Sequence, residues 1–129
     1  MHTKGVTWEV DLHDDFVAEY YALHQEVQET LLAHIGLLKR FGPQMGRPKV
    51  DTLKGSRHAN MKELRFDAAD GVWRVAFAFD WKRKAILLVA GDKSGGSANR
   101  FYRQLIAKAD RRFGKHLKKM TMEKEGESR

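Results

Sequence analysis

The chain has 129 residues, 42% of them hydrophobic, enough apolar material for one modest core and short for two domains. It has no cysteine, which excludes disulfides, zinc–thiolate sites and thiol nucleophiles, and its longest apolar run, Ala85 to Ala90, is too short to cross a bilayer. The 24 Lys and Arg outweigh 17 Asp and Glu, for a net charge of +7.

The first residues, Met1 to Gly5, lack the apolar stretch of a secretory signal, so a cytoplasmic location is expected. Val6 to Asp11 reads as a short strand around Trp8 and Val10. Asp11 or His13 then starts a helix, with acids in its first turn and Phe16, Tyr20 and Leu23 on one side. Leu23, Val27, Leu31, Ile35 and Leu38 form the apolar stripe of a second helix, stopped by Gly42-Pro43. Gln44 to Ala59 has no clean period and reads as an extended basic surface loop. Three strands follow: Met61 to Phe66, Val72 to Phe79 and Ala85 to Ala90. Asp70-Gly71 marks the first turn and Lys82-Arg83-Lys84 the second. Ser97 is a candidate N-cap for a final helix with Phe101, Leu105, Ala109, Phe113 and Leu117 on one face. The order predicts an α+β domain with helices packed on a small antiparallel sheet, β-α-α-β-β-β-α, over residues 1–120, with a frayed polar tail at 121–129.

Charge is segregated along the chain. Gly5 to Leu38 holds acids and no Lys or Arg, whereas Lys39 to Arg65 and Ser97 to Met120 are strongly basic. An acidic face and a basic face are expected, the basic one suited to a polyanion such as nucleic acid. The six histidines lack metal-ligand spacing, so no metal site is expected. His58 lies in a basic neighbourhood and is either a solvated loop residue or an acid–base group for phosphodiesters. Gly91 to Gly96 is not a Walker A loop; it is either a phosphate-binding turn at a helix start or a flexible connection. Arg74 points opposite to Trp73, Val75, Phe77 and Phe79, beside the small Ala76 and Ala78. That places it to grip a phosphate over a groove, to pair with Glu63 on the neighbouring strand, or both.

Leu53-Lys54-Gly55, Met61-Lys62-Glu63-Leu64-Arg65, Trp73-Arg74-Val75 and the strand ending in Gly91-Asp92-Lys93 together resemble the RelE/HigB-like toxins of type II toxin–antitoxin systems. The Lys-Ser-Gly-Gly stretch and Arg100 to Ala109 resemble the phage-derived HigB-like branch. The resemblance spans residues 6–117. It implies a microbial-RNase-like domain that cleaves mRNA on the ribosome, the ribose 2′-hydroxyl attacking the adjacent phosphodiester without a metal or other cofactor. By position it implies Arg74 as the transition-state cation, Arg65 as a basic residue on the preceding strand, Lys93 after the last strand, Tyr102 on the final helix, and Lys54 on an RNA-contacting loop. RelE-type members carry lysines on the strand where this chain has Met61 and Glu63, and Lys62 shares a side with Leu64 and Phe66. Variable histidine and acid use among HigB-type members keeps His58 and Asp92 as candidates.

The candidate catalytic set is therefore Arg74, Arg65, Lys93, Tyr102 and His58. The candidate RNA and ribosome contacts are Arg47, Lys49, Lys54, Arg57, Lys62, Arg100, Arg103, Arg111, Arg112 and Lys115. The implied partners are the ribosome, mRNA and a helix-turn-helix (Xre-type) antitoxin, with no membrane. The antitoxin either covers the cationic site or grips the helical hairpin of residues 12–41 through acids such as Glu19 and Glu26 and an exposed Tyr20 or Tyr21. The alternatives are a ParE-like, non-nuclease inhibitor of DNA gyrase and a basic nucleic-acid-binding module without toxicity.

Overall fold

The computed structural model describes residues 7–127. Its elements are β1 (Glu9–Leu12), α1 (Asp14–Ala22), α2 (Gln25–Phe41), a 3-10 turn (Gly42–Gln44), β2 (Val50–Thr52), β3 (Lys62–Ala68), β4 (Gly71–Phe79), β5 (Lys84–Asp92) and α3 (Ala98–Glu127). Val6, the expected start of the first strand, lies outside the described residues.

Two histidines divide the helical hairpin. His13 Nδ1 accepts the Asp15 N–H at 3.0 Å and His24 Nδ1 accepts the Glu26 N–H at 3.1 Å, each satisfying a donor that a helix start leaves open. Gly42 ends α2 at φ +55°, where a Cβ would fall 2.3 Å from Trp8 Nε1. Only glycine combines that backbone with the close approach of the indole.

The sheet order is β1-β5-β4-β3-β2. β5 pairs with β1 in parallel, while the other neighbours are antiparallel. The sheet is thus mixed rather than purely antiparallel, because the α1–α2 hairpin is interposed between β1 and the rest of the sheet. The segment expected to be all loop supplies the edge strand β2, which pairs Val50 with Leu64 and Thr52 with Lys62. Three residues are too few to show a period of two against a basic background. The β3–β4 turn places Ala69 and Asp70, not Gly71, at positive φ. Gly71 instead makes room for Trp73 and Asp92, whose side-chain atoms come within 3 Å of where its Cβ would be.

Both faces of the sheet are covered. Phe16, Leu31 and Leu38 of α1 and α2 pack on Leu64, Val75, Phe77 and Leu87. Leu105, Ala109 and Phe113 of α3 pack on Ala76, Ala78, Ile86 and Leu88. A register shift opposes Ala76 to Val89 and Phe77 to Leu87, leaving Leu88 as an extra residue. Leu88 and Val89 therefore both face α3, which alternation alone does not allow. The open groove expected beside Arg74 does not exist over Ala76 and Ala78: both are fully buried under α3.

α3 runs through Glu127, so the expected frayed tail is helical as far as the structure is described. Met120 is buried near its end, and Thr121 Oγ bonds back to the Leu117 carbonyl. The expected division into an acidic and a basic face also fails. α1 lies beside α3, and Asp14 pairs with Lys119 at 3.7 Å, Asp15 with Lys115 at 3.0 Å, and Glu19 with Arg112 at 2.6 Å. Opposite charges far apart in sequence are thus interleaved in space.

Candidate active site

β3 and β4 place Arg65 directly opposite Arg74, and Glu63 opposite Ala76. Facing arginines on one side of a sheet repel. Glu63 lies between them, with Oε1 3.8 Å from Arg74 Nε and Oε2 4.0 Å from Arg65 Nε. Tyr102, in the second turn of α3, closes the group: its hydroxyl donates to Glu63 Oε1 at 2.9 Å and accepts from Arg74 Nε at 3.3 Å. Arg74 Nη1 also donates to the Trp73 carbonyl at 2.9 Å. Lys93 Nζ lies 5.7 Å from the centre of the Tyr102 ring. Gly91 makes this approach possible, since a Cβ there would fall 2.8 Å from Phe101 Cε1 and push the start of α3 off the sheet.

The group is graded in exposure. Arg74 and Glu63 are buried, whereas Arg65 keeps a third of its side chain in solvent and Lys93 is half-buried. A ligand would reach it from the Arg65 and Lys93 side. Burial pushes the Tyr102 hydroxyl above the usual phenol range, so it stays protonated at neutral pH and remains a donor to Glu63. Beyond Arg65, Asp51 holds Arg65 Nη1 at 3.9 Å and Arg47 Nε at 3.3 Å. The Thr52 N–H, followed by these arginines, keeps the Asp51 carboxyl below its ordinary value.

The remaining sequence candidates are placed as follows in the fold. Lys49, Lys54, Arg47, Arg100, Arg103 and Arg111 are exposed. Lys54 precedes Gly55, which lies against Ile106 one turn beyond Tyr102. Lys62 lies on the other face of β3, paired with Phe77. Arg57 is exposed and its Nε is 3.9 Å from Asp110, whose other oxygen accepts from Ser56. His58 is not brought to the cluster. Its ring meets Phe113 edge-on at 5.0 Å, about 16 Å further along α3 than Tyr102 at 1.5 Å per residue. His58 Nε2 is buried without a hydrogen-bond partner among the described residues.

Two expected contacts are corrected. Arg112 is 7% exposed, forked onto Glu19 by two bonds of 2.8 and 2.6 Å, with a third bond to the Leu88 carbonyl. It fastens α3 to α1 and β5 and is not available to RNA. Lys115 is exposed but paired with Asp15. Asp92 is likewise occupied: its Oδ1 accepts from the Val72 N–H, the Ser94 N–H and the Ser94 hydroxyl, which hold its carboxyl below the usual range. The glycine-rich segment is therefore stapled by its own side chains. Sequence reasoning named Glu63 only as an ion-pair partner and missed it as a site residue. Its signal was its spacing two residues before Arg65, which alternation puts on the same side.

The fold is similar to that of solved RelE toxins. The free form of a mutant Escherichia coli toxin RelE aligns with a TM-score of 0.57 at 12% identity, over 79% of this chain and 96% of that one. The RelE of a RelE–RelB complex from Pyrococcus horikoshii aligns at 0.50 and 22%, over 70% and 99%. The class is thus a RelE-like α+β domain. Residues 18–114 match the model of the phage-derived Gp49-like proteins (DUF891), and the chain belongs to that family. It is 43% identical over 93 residues to the putative toxin HigB3 of Mycobacterium tuberculosis, covering 72% of this chain and 79% of HigB3. It is 42% identical over 114 residues to the putative toxin HigB2 of the same organism. That match covers 88% of this chain but spans only about half, 56%, of HigB2. No helix among the described residues is long and apolar enough to cross a membrane.

Proposed function

We propose that the chain is the toxin of a type II toxin–antitoxin pair, an endoribonuclease that cuts mRNA on the ribosome and is silenced by a helix-turn-helix antitoxin. The carrying observation is the Arg74–Glu63–Tyr102 group with Arg65 and Lys93 at its open side. Family membership beside HigB-type toxins supports the reading.

The reaction it suits is internal transesterification. The 2′-hydroxyl attacks the neighbouring phosphorus, the bond to the 5′-oxygen breaks, and a cyclic phosphate remains. Such a step needs an acceptor for the 2′ proton, cations for the phosphorane oxygens and a proton for the leaving oxygen. Glu63 is the acceptor. As a phosphate draws Arg74 and Arg65 onto its oxygens, the carboxylate is left beside the sugar with Tyr102 holding its orientation. Arg74 is already desolvated beside the site, so little water has to be cleared from it during reaction. Lys93, next to Tyr102, is the cation on the side of the leaving oxygen and gives that oxygen its proton.

The test is cleavage of mRNA by the purified protein on translating ribosomes, with products mapped by primer extension. Wild type should cut. Glu63→Gln, which keeps the shape and loses the base, should lower the rate by about 10²- to 10⁴-fold. Arg74→Lys should lose about a hundredfold while retaining a positive charge beside Glu63. Cleavage by Glu63→Gln at the wild-type rate removes Glu63 from the mechanism. No cleavage by folded wild type removes the nuclease reading itself.

A further inference from the structure

At the opposite end of the sheet from the Arg74 group lies an open cleft of about 530 Å³ between the start of α1, the β4–β5 turn and the last turns of α3. Along β4, Arg74 and Asp80 are six residues apart, about 20 Å in an extended strand. The cleft is therefore separate from the candidate active site. It is large enough for a nucleotide.

Two histidines on its wall are held in fixed roles. Asp80 is buried, and its Oδ1 accepts the N–H groups of Lys82 and Lys84 while Oδ2 lies 2.9 Å from His116 Nε2. A carboxylate can only accept, so Nε2 of His116 carries a proton and Nδ1 has no partner among the described residues. His116 is oriented further by stacking on Phe113. His13 is fixed from the other side. Because its Nδ1 accepts the Asp15 N–H, the proton of the neutral ring is on Nε2. Burial lowers its pKa and favours this neutral form. The His13 side chain is only 6% exposed, lines the cleft, and its Nε2 has no hydrogen-bond partner among the described residues. That N–H is open to the cleft rather than sealed in the core, and so is free to donate to a ligand.

The charges around these rings are mostly spent on each other. Lys84 pairs with Asp11, Lys115 with Asp15 and Lys119 with Asp14. Lys82 and Lys118 line the cleft without an ion pair among the described residues, and Glu123 is the remaining uncommitted acid. The donors left over are thus the His13 N–H and two lysines. We propose that this cleft is a second binding site, one that takes a phosphate group through the His13 N–H, Lys82 and Lys118, with His116 on the adjoining wall. The phosphate comes either from a free nucleotide or from an RNA backbone. The cleft and its donors are independent of any nuclease activity at the Arg74 group.

The test is to titrate inorganic phosphate, then uridine 5′-monophosphate, into the whole protein at constant ionic strength while following the imidazole resonances of His13 and His116. Both should shift and saturate. Lys82→Ala with Lys118→Ala should weaken binding about tenfold and leave the melting temperature unchanged, since both lysines are exposed. A ten-nucleotide single-stranded RNA separates the sources. Shifts at the two histidines together with Tyr102 favour a backbone phosphate, and tighter binding of the mononucleotide favours a free nucleotide. Cleft histidines that do not respond to any of these probes, or a double variant that binds as well as wild type, overturn the proposal.

Discussion

Glu63 keeps two facing arginines from repelling each other across β3 and β4, and that single side chain explains why so much positive charge can sit on a covered sheet face. Removing Arg74 altogether would strand the Glu63 charge in a buried position, a change that typically costs about 3–5 kcal/mol. Arg74→Ala is therefore expected to lose stability as well as activity, and its toxicity has to be read beside a melting curve. Tyr102→Phe is the cleaner probe. It keeps the ring under Lys93 and deletes only the hydroxyl that bridges Arg74 and Glu63. The expected outcome is an mRNA cleavage rate lower by about tenfold or more, with stability reduced by no more than about 1.5 kcal/mol for the lost bonds. Arg112 belongs to a different class. Arg112→Ala leaves the buried Leu88 carbonyl short of a donor and unfastens Glu19, so thermal unfolding should move down by several degrees, equivalent to about 1–3 kcal/mol. If Arg112→Ala melts like wild type, the clamp between α1 and α3 is not what holds them.

α1 depends on an imidazole as its cap, which gives the element a pH dependence. Burial depresses the pKa of folded His13 below its ordinary value of 6.5. Between the two values the unfolded chain binds a proton that the folded chain does not, so stability falls as pH drops below about 6.5. Glu19, whose carboxyl is held down first by its hydrogen bond to Arg112, acts in the same direction at lower pH. Its contribution is present above its unfolded value of 4.5 and is lost as pH falls through the depressed folded value. Urea midpoints measured from pH 8 to 4 should decline across this range, and the upper part of the decline should vanish in His13→Asn, which keeps a capping oxygen and removes the titration. A flat midpoint between pH 7 and 5.5 in wild type would remove His13 as its source. The junction of α2 with the 3-10 turn is fixed by Gly42. Gly42→Ala combines a positive φ with a collision against Trp8 and should cost about 2–4 kcal/mol by chemical denaturation.

In the whole molecule, α3 divides its charge between two tasks. Arg112, Lys115 and Lys119 are matched by acids of α1, whereas Arg100 and Arg103, near Tyr102, are exposed without such partners among the described residues. Ribosome binding is therefore expected to depend on the Arg100 end. Arg100→Glu with Arg103→Glu should weaken it and reduce the slope of log affinity against log salt by about 2, measured by sedimentation at several salt concentrations. An unchanged slope would place the docking surface elsewhere. The hairpin offers the antitoxin a different surface, on the sheet face away from Arg74. Tyr20 is buried there, but Tyr21 and Leu32 are exposed at 70% and 55%. Glu19 is engaged by Arg112, so its reversal would disturb the fold and cannot report on a partner. Tyr21→Ala with Leu32→Ala is the better variant. Calorimetric titration with the antitoxin should show weakened binding if the hairpin is gripped, and no change if the partner covers the cationic cluster instead.

The α+β class, the helical hairpin, the three longer strands and the last helix were legible in the chain because each shows a helical stripe, an alternation or, for β5, a continuous apolar run. Arg74 was legible from its place on the strand, and Arg65, Tyr102 and Lys93 became candidates through the resemblance to RelE/HigB-like toxins; the structure brings these four together. β2 was not legible, since three residues carry no period and their pairing is supplied by β3. Neither was the parallel β1–β5 edge, because the partner of an edge strand is chosen by the path of the intervening helices. The extra residue at Leu88 reversed alternation on β5, and no residue type announces such a bulge. Above all, charge read along the chain misjudged charge in space. Composition fixes how many acids and bases there are, but only tertiary packing decided that Arg112 is a clamp between α1 and α3, that Glu63 sits among cations of β3 and β4, and that His58 lies far from the site it was expected to join. Electrostatic energy depends on distances of a few ångströms between side chains from remote segments, and those distances exist only once the tertiary fold has formed.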